Sequence, residues 1–124
     1  MHMSRREVEQ PPLDEYPMDR ADGKMTILNA RTIYRFIRPD GSDGHWLAVL
    51  VVEADFGQGP KRSVRIYKWQ WRQPRKREEQ PDGTVKYIPM GEHRWARPMK
   101  HNINKKRVWE DTKAAVDTFV EKWL

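Results

Sequence analysis

Cysteine is absent from all 124 residues, which excludes a disulfide framework and a thiolate metal site. No apolar run approaches the roughly 20 residues that a membrane-spanning helix needs. The first twelve residues lack the apolar core of a secretion signal. These absences together predict a soluble protein of the cytoplasm.

Patterns that mark catalytic sites are also scarce. The histidines are scattered without metal-ligand spacing, and no glycine-rich loop leads from a strand into a helix. Glu53 and Asp55, with Lys68 further along, resemble part of a metal-dependent nuclease site, but no third carboxylate lies near them in the sequence. We therefore predict a non-catalytic protein with no metal and no cofactor.

Charge is distributed unevenly along the chain, whose formal net charge is +6 at pH 7. Residues 61–107 contain fifteen basic and four acidic side chains, a local excess of +11. The segments before and after this basic block are neutral or mildly acidic. Because concentrated positive charge attracts polyanions and speeds their association, the basic block predicts a polyanionic partner.

Residues 1–23 are predicted to form a disordered acidic tail. Pro11, Pro12 and Pro17 interrupt any helix, and the apolar residues follow no period. Six acidic residues outnumber three basic ones. A solvated leader is the simpler interpretation. Alternatively, the tail folds back over the basic block and competes with an anionic ligand.

Residues 24–124 are predicted to form a single domain that begins with three strands. The first spans about 25–38, where β-forming residues precede a Pro-Asp-Gly turn. Residues 45–55 are apolar in both alternating sets, which indicates a central strand covered on both faces. The third strand spans about 62–72 and separates an aliphatic face from an aromatic one.

A basic hairpin tip and a fourth strand follow. Arg75-Lys76-Arg77 precedes Pro81-Asp82-Gly83, in which the proline presets φ and the glycine tolerates a left-handed residue. We predict a long, mobile hairpin tip here. The fourth strand is predicted at 84–88, and residues 92–97 are expected to resume it at the sheet edge, where proline is tolerated.

Residues 105–123 carry the one convincing helical pattern, with apolar residues recurring at every third and fourth position. Asn102 or Asn104 is a candidate N-cap for this helix. The order of elements predicts an α+β fold: a four-stranded antiparallel meander sheet followed by one C-terminal helix packed on one face.

The third strand carries a row of aromatic and basic residues. Arg65, Tyr67, Trp69 and Trp71 are spaced two apart and therefore point to one side of an extended strand. Aromatic faces stack nucleobases, and neighbouring cations bind phosphates. Three interpretations stay open: the row faces a ligand, it packs beneath the helix as core, or it forms a dimer interface.

The order of four strands and a helix over residues 24–124 resembles the repeat of PUR-type and Whirly-type single-strand-binding proteins, although none of their sequence motifs is present. The resemblance implies binding to nucleic acid and pairing into dimers.

We therefore predict a small non-catalytic module that binds single-stranded DNA or RNA with little sequence preference. The residues predicted to stack bases are Tyr67, Trp69, Trp71 and Trp95. The residues predicted to hold the backbone are Arg65, Lys68, Arg72, Arg75, Lys76, Arg77 and Arg97. The alternative is a homodimeric protein-interaction or structural domain without a nucleic-acid ligand.

Overall fold

The computed structural model describes residues 10–18, 25–96, 103 and 105–124. These residues form six strands and one α-helix, preceded by a short 3₁₀ helix at Leu13–Glu15. The strands are β1 (Met25–Ile37), β2 (Gly44–Asp55), β3 (Pro60–Arg72), β4 (Arg75–Glu79), β5 (Val85–Pro89) and β6 (Arg94–Ala96), and the helix is α1 (Lys106–Trp123).

Four of the strands form one antiparallel sheet in the order β1-β2-β3-β6. The prediction of an α+β fold with a C-terminal helix on a four-stranded sheet is confirmed. The prediction that the second strand is central is confirmed too, since residues 46–52 of β2 are each at most 1% exposed. Their apolar side chains lie on both faces of the strand, so β2 contributes to the core on each side of the sheet.

Helix α1 covers one face of the sheet with its apolar stripe. Ala115 and Phe119 pack against Val49 and Val51 of β2, and full burial of a side chain such as Phe119 contributes about 1.5–3 kcal/mol. Lys105 is the N-cap residue and makes no side-chain capping bond. The predicted caps, Asn102 and Asn104, lie outside the described residues.

The fourth strand of the sheet differs from the predicted one. Residues 85–89 pair with 75–79 in a separate two-stranded antiparallel ribbon, and β6 takes the edge position by pairing with residues 70–72 of β3. The Pro-Asp-Gly turn explains the difference. It joins residues 75–79 and 85–89 by a short loop, and closing a short loop costs less conformational entropy than closing a long one. We call β4, β5 and their turn the basic ribbon.

Part of the predicted tail is packed on the sheet. Residues 13–15 form the 3₁₀ helix, and Tyr16 is only 4% exposed. The expectation of a solvated segment is therefore wrong for Tyr16, because its ring has an apolar surface to cover. Residues 1–9 and 19–24 lie outside the described residues, and the division of the chain at residue 23 stays a prediction.

Candidate nucleic-acid interface

The aromatic row lies on the sheet face opposite α1. Trp46 of β2 pairs with Trp69 of β3, and both belong to one apolar cluster. Val49 and Val51, which alternate with Trp46 along β2, belong to a second cluster with Phe119 of α1. Alternation along the two strands thus separates the faces, and the interpretation of the row as core beneath the helix is wrong.

Six rings form a continuous network on this face, which we call the aromatic cluster: Tyr16, Trp46, Tyr67, Trp69, Trp71 and Trp95. Tyr67 stacks on Trp69 with ring centres 5.4 Å apart. Trp95 meets Trp71 edge-on at 5.3 Å. Aromatic pairs at these separations contribute about 0.5–1.5 kcal/mol beyond the burial of their area. The network therefore stabilises the sheet as well as shaping its surface.

Tyr16 covers the centre of the aromatic cluster. Its ring centre lies 4.9 Å from that of Trp46 and 6.2 Å from that of Trp69. Its hydroxyl is hydrogen-bonded to the hydroxyl of Thr32 at 2.8 Å, and the indole N–H of Trp46 donates to the same Thr32 oxygen at 3.1 Å. Burial raises the pKa of the Tyr16 phenol, with the Thr32 hydrogen bond and the nearby Arg35 charge acting in the opposite direction.

The cover removes Trp69 from the set of base-stacking candidates. Trp69 is 1% exposed, so no base reaches its ring while Tyr16 is in place. The physical reason is that the rings on this sheet face form an apolar surface whose burial is favourable. The N-terminal segment buries the centre of that surface with Tyr16. Tyr67, Trp71 and Trp95 are partly exposed and form the rim of the aromatic cluster.

Cations border the aromatic cluster. Arg65 donates to the Tyr67 hydroxyl at 2.9 Å and to the Ser63 hydroxyl at 3.1 Å, which fixes its guanidinium beside the cluster. Arg35 lies over the Trp46 ring, with its guanidinium carbon 4.7 Å from the ring centre. Arg35 could not be predicted from its own segment, because its approach to Trp46 follows from the β1–β2 register, in which the two residues are partners.

Lys68 and Arg72 point to the other sheet face, since they alternate with Tyr67, Trp69 and Trp71 along β3. Lys68 pairs with Leu47, which packs on the helix side. Arg72 lines a cleft of about 690 Å³ between the end of β3 and the basic ribbon. We call it the arginine cleft, and the lining residues of interest are Asp43, Gln70, Arg72, Arg75, Tyr87 and Arg94.

The arginine cleft brings together residues from four strands. Arg72 and Arg94 are direct partners in the β3–β6 ladder, and Arg75 begins β4 only three residues after Arg72. Tyr87, on β5, is 61% exposed and lines the same cleft. Arg94 and Tyr87 stood outside the predicted site, although both belong to the basic block, because the pairing that brings them together is set by the turns.

The basic ribbon displays the remaining predicted cations. Arg75, Lys76 and Arg77 are exposed, and Arg77 is the ladder partner of Tyr87. Arg77 also approaches Glu79 at 3.9 Å, but both side chains are mostly exposed, so this ion pair is weak. Arg97, the last predicted backbone-binding residue, lies outside the described residues.

The residues considered for catalysis are engaged elsewhere. Glu53 accepts a hydrogen bond from Arg62 at 3.1 Å across the β2–β3 ladder, and Asp55 accepts one from the backbone N–H of Gly57. Within the described ranges no three His, Asp or Glu side chains are grouped closely enough to hold a metal ion.

No helix in the described part of the chain combines the length and apolarity that crossing a membrane requires. Comparisons with protein-family models, with curated proteins and with solved structures gave no match.

Proposed function

We propose that this protein is a small non-catalytic module that binds single-stranded DNA or RNA with little sequence preference. The observation that carries the proposal is the arginine cleft, whose lining includes three arginines and a tyrosine that is 61% exposed. The partly exposed rim of the aromatic cluster adds rings on the opposite sheet face. We also propose that binding takes place in the cytoplasm, the location expected from the sequence.

Exposed rings supply the stacking surface. Tyr87 is 61% exposed, and Trp71 and Trp95 keep part of their surface open. A base stacked on one such ring contributes about 1–3 kcal/mol, whatever the base. Bases in a duplex already stack on each other, so these rings favour a single strand whose bases are accessible.

Unpaired cations supply the attraction for phosphates. Among the described residues, no carboxylate lies within ion-pair distance of Arg72, Arg75 or Arg94. Lys76 is likewise exposed and without such a partner in the described chain. Cations that have no internal partner gain most from a phosphate, and the counterions released on binding make the affinity sensitive to salt.

The test is a titration of the protein with a fluorescein-labelled oligonucleotide at low salt, followed by anisotropy. Tyr87→Ala should weaken binding by about tenfold, because it removes one stacking contact. The matched control is Trp109→Ala, an aromatic side chain of α1 that is 50% exposed and distant in sequence from the cleft. Absence of binding by the unaltered protein at low salt would overturn the proposal.

A homodimeric interaction domain is the second candidate, favoured by apolar side chains on the basic ribbon. Ile88 of the basic ribbon is 37% exposed, and Met90, which directly follows the ribbon, is 50% exposed. A two-stranded ribbon is marginally stable by itself, so a second copy of the chain that covered these side chains would stabilise it. Sedimentation separates the two functions, since a tight dimer that ignores oligonucleotides supports only this one.

A further inference from the structure

The arginine cleft is separate from the aromatic cluster and from the helix-covered core. Gln70 and Arg72 line it from the sheet face that α1 covers, yet α1 packs on Leu47, Val49 and Val51 of β2. The cleft lies instead at the Gly44 end of β2, because Gly44 is the ladder partner of Trp71. The basic ribbon closes the cleft on its outer side through Arg75 and Tyr87.

Like charges lie together in the cleft, and no described carboxylate forms an ion pair with them. Arg72 and Arg94 are opposite each other in an antiparallel ladder, an arrangement that is destabilising for like charges. Arg75 adds a third positive charge. In the described residues none of the three forms an ion pair. An anion from outside the chain would relieve this repulsion.

Asp43 is the one carboxylate among the described residues that line the cleft, and it already has polar contacts. The amide nitrogen of Gln70 donates to Asp43 at 3.4 Å, and the Nε2 atom of His45 lies 3.7 Å from the other Asp43 oxygen. The described residues that line the cleft include three arginines and one aspartate, which sum to a formal charge of +2. A phosphomonoester carries about −1.5 to −2 at neutral pH. It therefore matches the cleft better than an internal phosphodiester, which carries a single charge.

The size and the apolar surface of the cleft suit a nucleotide. Its volume of about 690 Å³ falls within the range of pockets that bind small organic ligands. The ring of Tyr87 and the side chain of Pro74 provide apolar contact on the ribbon side. An aromatic ring beside three guanidinium groups lets one nucleotide stack its base and place its phosphate on the arginines.

We propose that the arginine cleft binds the phosphomonoester of a nucleotide, and that this nucleotide is the phosphorylated end of a bound single strand. The inference rests on the proposed function for its choice of ligand. Arg72, Arg75 and Arg94 hold the phosphate, and Tyr87 stacks the terminal base. The protein then recognises a strand end in addition to binding along the strand.

The test compares oligonucleotides of one sequence, labelled at an internal position, that carry a 5′-phosphate, a 3′-phosphate or no terminal phosphate. One of the two phosphorylated forms should bind about tenfold tighter than the unphosphorylated form, as expected for charge-assisted hydrogen bonds to one added group. The advantage should shrink as the pH falls through about 6, where the phosphate dianion takes up one proton and becomes a monoanion.

Arg94→Gln should abolish the advantage of the phosphorylated strand, so that this variant binds the phosphorylated and unphosphorylated strands equally, whatever affinity for the unphosphorylated strand it keeps. The matched control is Lys113→Gln, which removes one exposed charge from α1 and should preserve the advantage. Circular dichroism checks that both variants are folded. Adenosine 5′-monophosphate is the fourth ligand, and it tests whether a free nucleotide is bound as well.

The outcomes separate this inference from the proposed function. Equal affinity of the native protein for phosphorylated and unphosphorylated strands overturns the end-binding inference and leaves single-strand binding intact. An equal loss of affinity for both strands in Arg94→Gln has the same consequence. Binding of adenosine 5′-monophosphate that Arg94→Gln removes, without binding of any oligonucleotide, overturns the proposed function but supports a phosphomonoester site. Failure of all four ligands to bind overturns both.

Discussion

Strand β3 contributes to two surfaces that differ in their exposure to solvent. On the face away from α1, the aromatic cluster is covered at its centre by Tyr16, and Trp69 is 1% exposed. On the other face, Arg72 lines an open cleft with Arg75 and Arg94. Burial of large rings is favourable, so the rings of the aromatic cluster are covered by Tyr16. Burial of an unpaired guanidinium group is costly, so the arginines stay exposed to water. Exposure therefore follows chemistry more closely than position along the strand.

The largest effect that would sharpen this comparison is expected for Trp69→Ala. Removal of a fully buried indole should lower the free energy of unfolding by about 3–5 kcal/mol, because the remaining cavity is only partly filled by relaxation. Trp109→Ala, on the exposed side of α1, should change it by less than about 0.5 kcal/mol. Urea unfolding measures both. Similar stability of the two variants would show that Trp69 is not part of a packed core.

Gly44→Ala should have the next largest effect. A Cβ atom added at Gly44 would lie 2.5 Å from the carbonyl oxygen of Phe36 and 3.0 Å from the Cα of Ile37, both backbone atoms. Such overpacking costs about 1–3 kcal/mol, and the shift of β2 would reach its partner Trp71, at the edge of the arginine cleft. Gly57→Ala is a poor control because its φ is +101°.

Thr26→Ala, at an exposed position of β1, is a better comparison for Gly44→Ala in thermal unfolding, and it should change the melting temperature much less. An unchanged melting temperature for Gly44→Ala would contradict the close approach of β1 and β2 at this point.

Tyr16→Phe tests the cover itself. The variant keeps the ring but loses the hydrogen bond to Thr32, and about 0.5–1.5 kcal/mol of stability should go with it at neutral pH. Because burial raises the folded-state pKa of Tyr16 above its usual value, the unfolded chain loses this proton first as the pH rises. The contribution of the tyrosine is therefore complete below about pH 10 and declines above it.

Urea unfolding of the native protein and Tyr16→Phe at pH 7 and at pH above 10 measures this effect. The stability difference between them should narrow at the higher pH. A difference that is independent of pH would show that the Tyr16 hydroxyl is not buried.

Much of the fold could be predicted because local patterns specify it. The apolar residues of β2 in both alternating sets identify a strand covered on both faces, and the period of α1 marks its single buried stripe. The partner of β5 could not be predicted in this way. The alternation of Val85 and Tyr87 predicts a strand, but pairing with β4 rather than with the main sheet depends on the geometry of the turns.

The candidate site was predicted less completely for a related reason. Spacing along β3 correctly places Tyr67, Trp69 and Trp71 on one face, since alternation is a local property. Burial of Trp69 depends on Tyr16, more than fifty positions away, in a segment whose prolines hide any period. The arginine cleft likewise depends on the pairing of β6 with β3. This pairing involves three residues of each strand, too few to give a recognisable sequence pattern.

The smallest expected effect concerns the salt dependence of oligonucleotide binding. Lys76 is exposed on the basic ribbon, so under the proposed function we expect it to contribute a charge beside the strand rather than a packed contact. Lys76→Ala should therefore reduce the slope of log K against log salt by about 0.7, the value for one phosphate contact on a single strand. Lys113→Ala, which removes the same charge from α1, should leave the slope unchanged. Equal slopes in the native protein and in both variants would show that the bound strand does not pass Lys76, and would leave the arginine cleft and the rim of the aromatic cluster as its contacts.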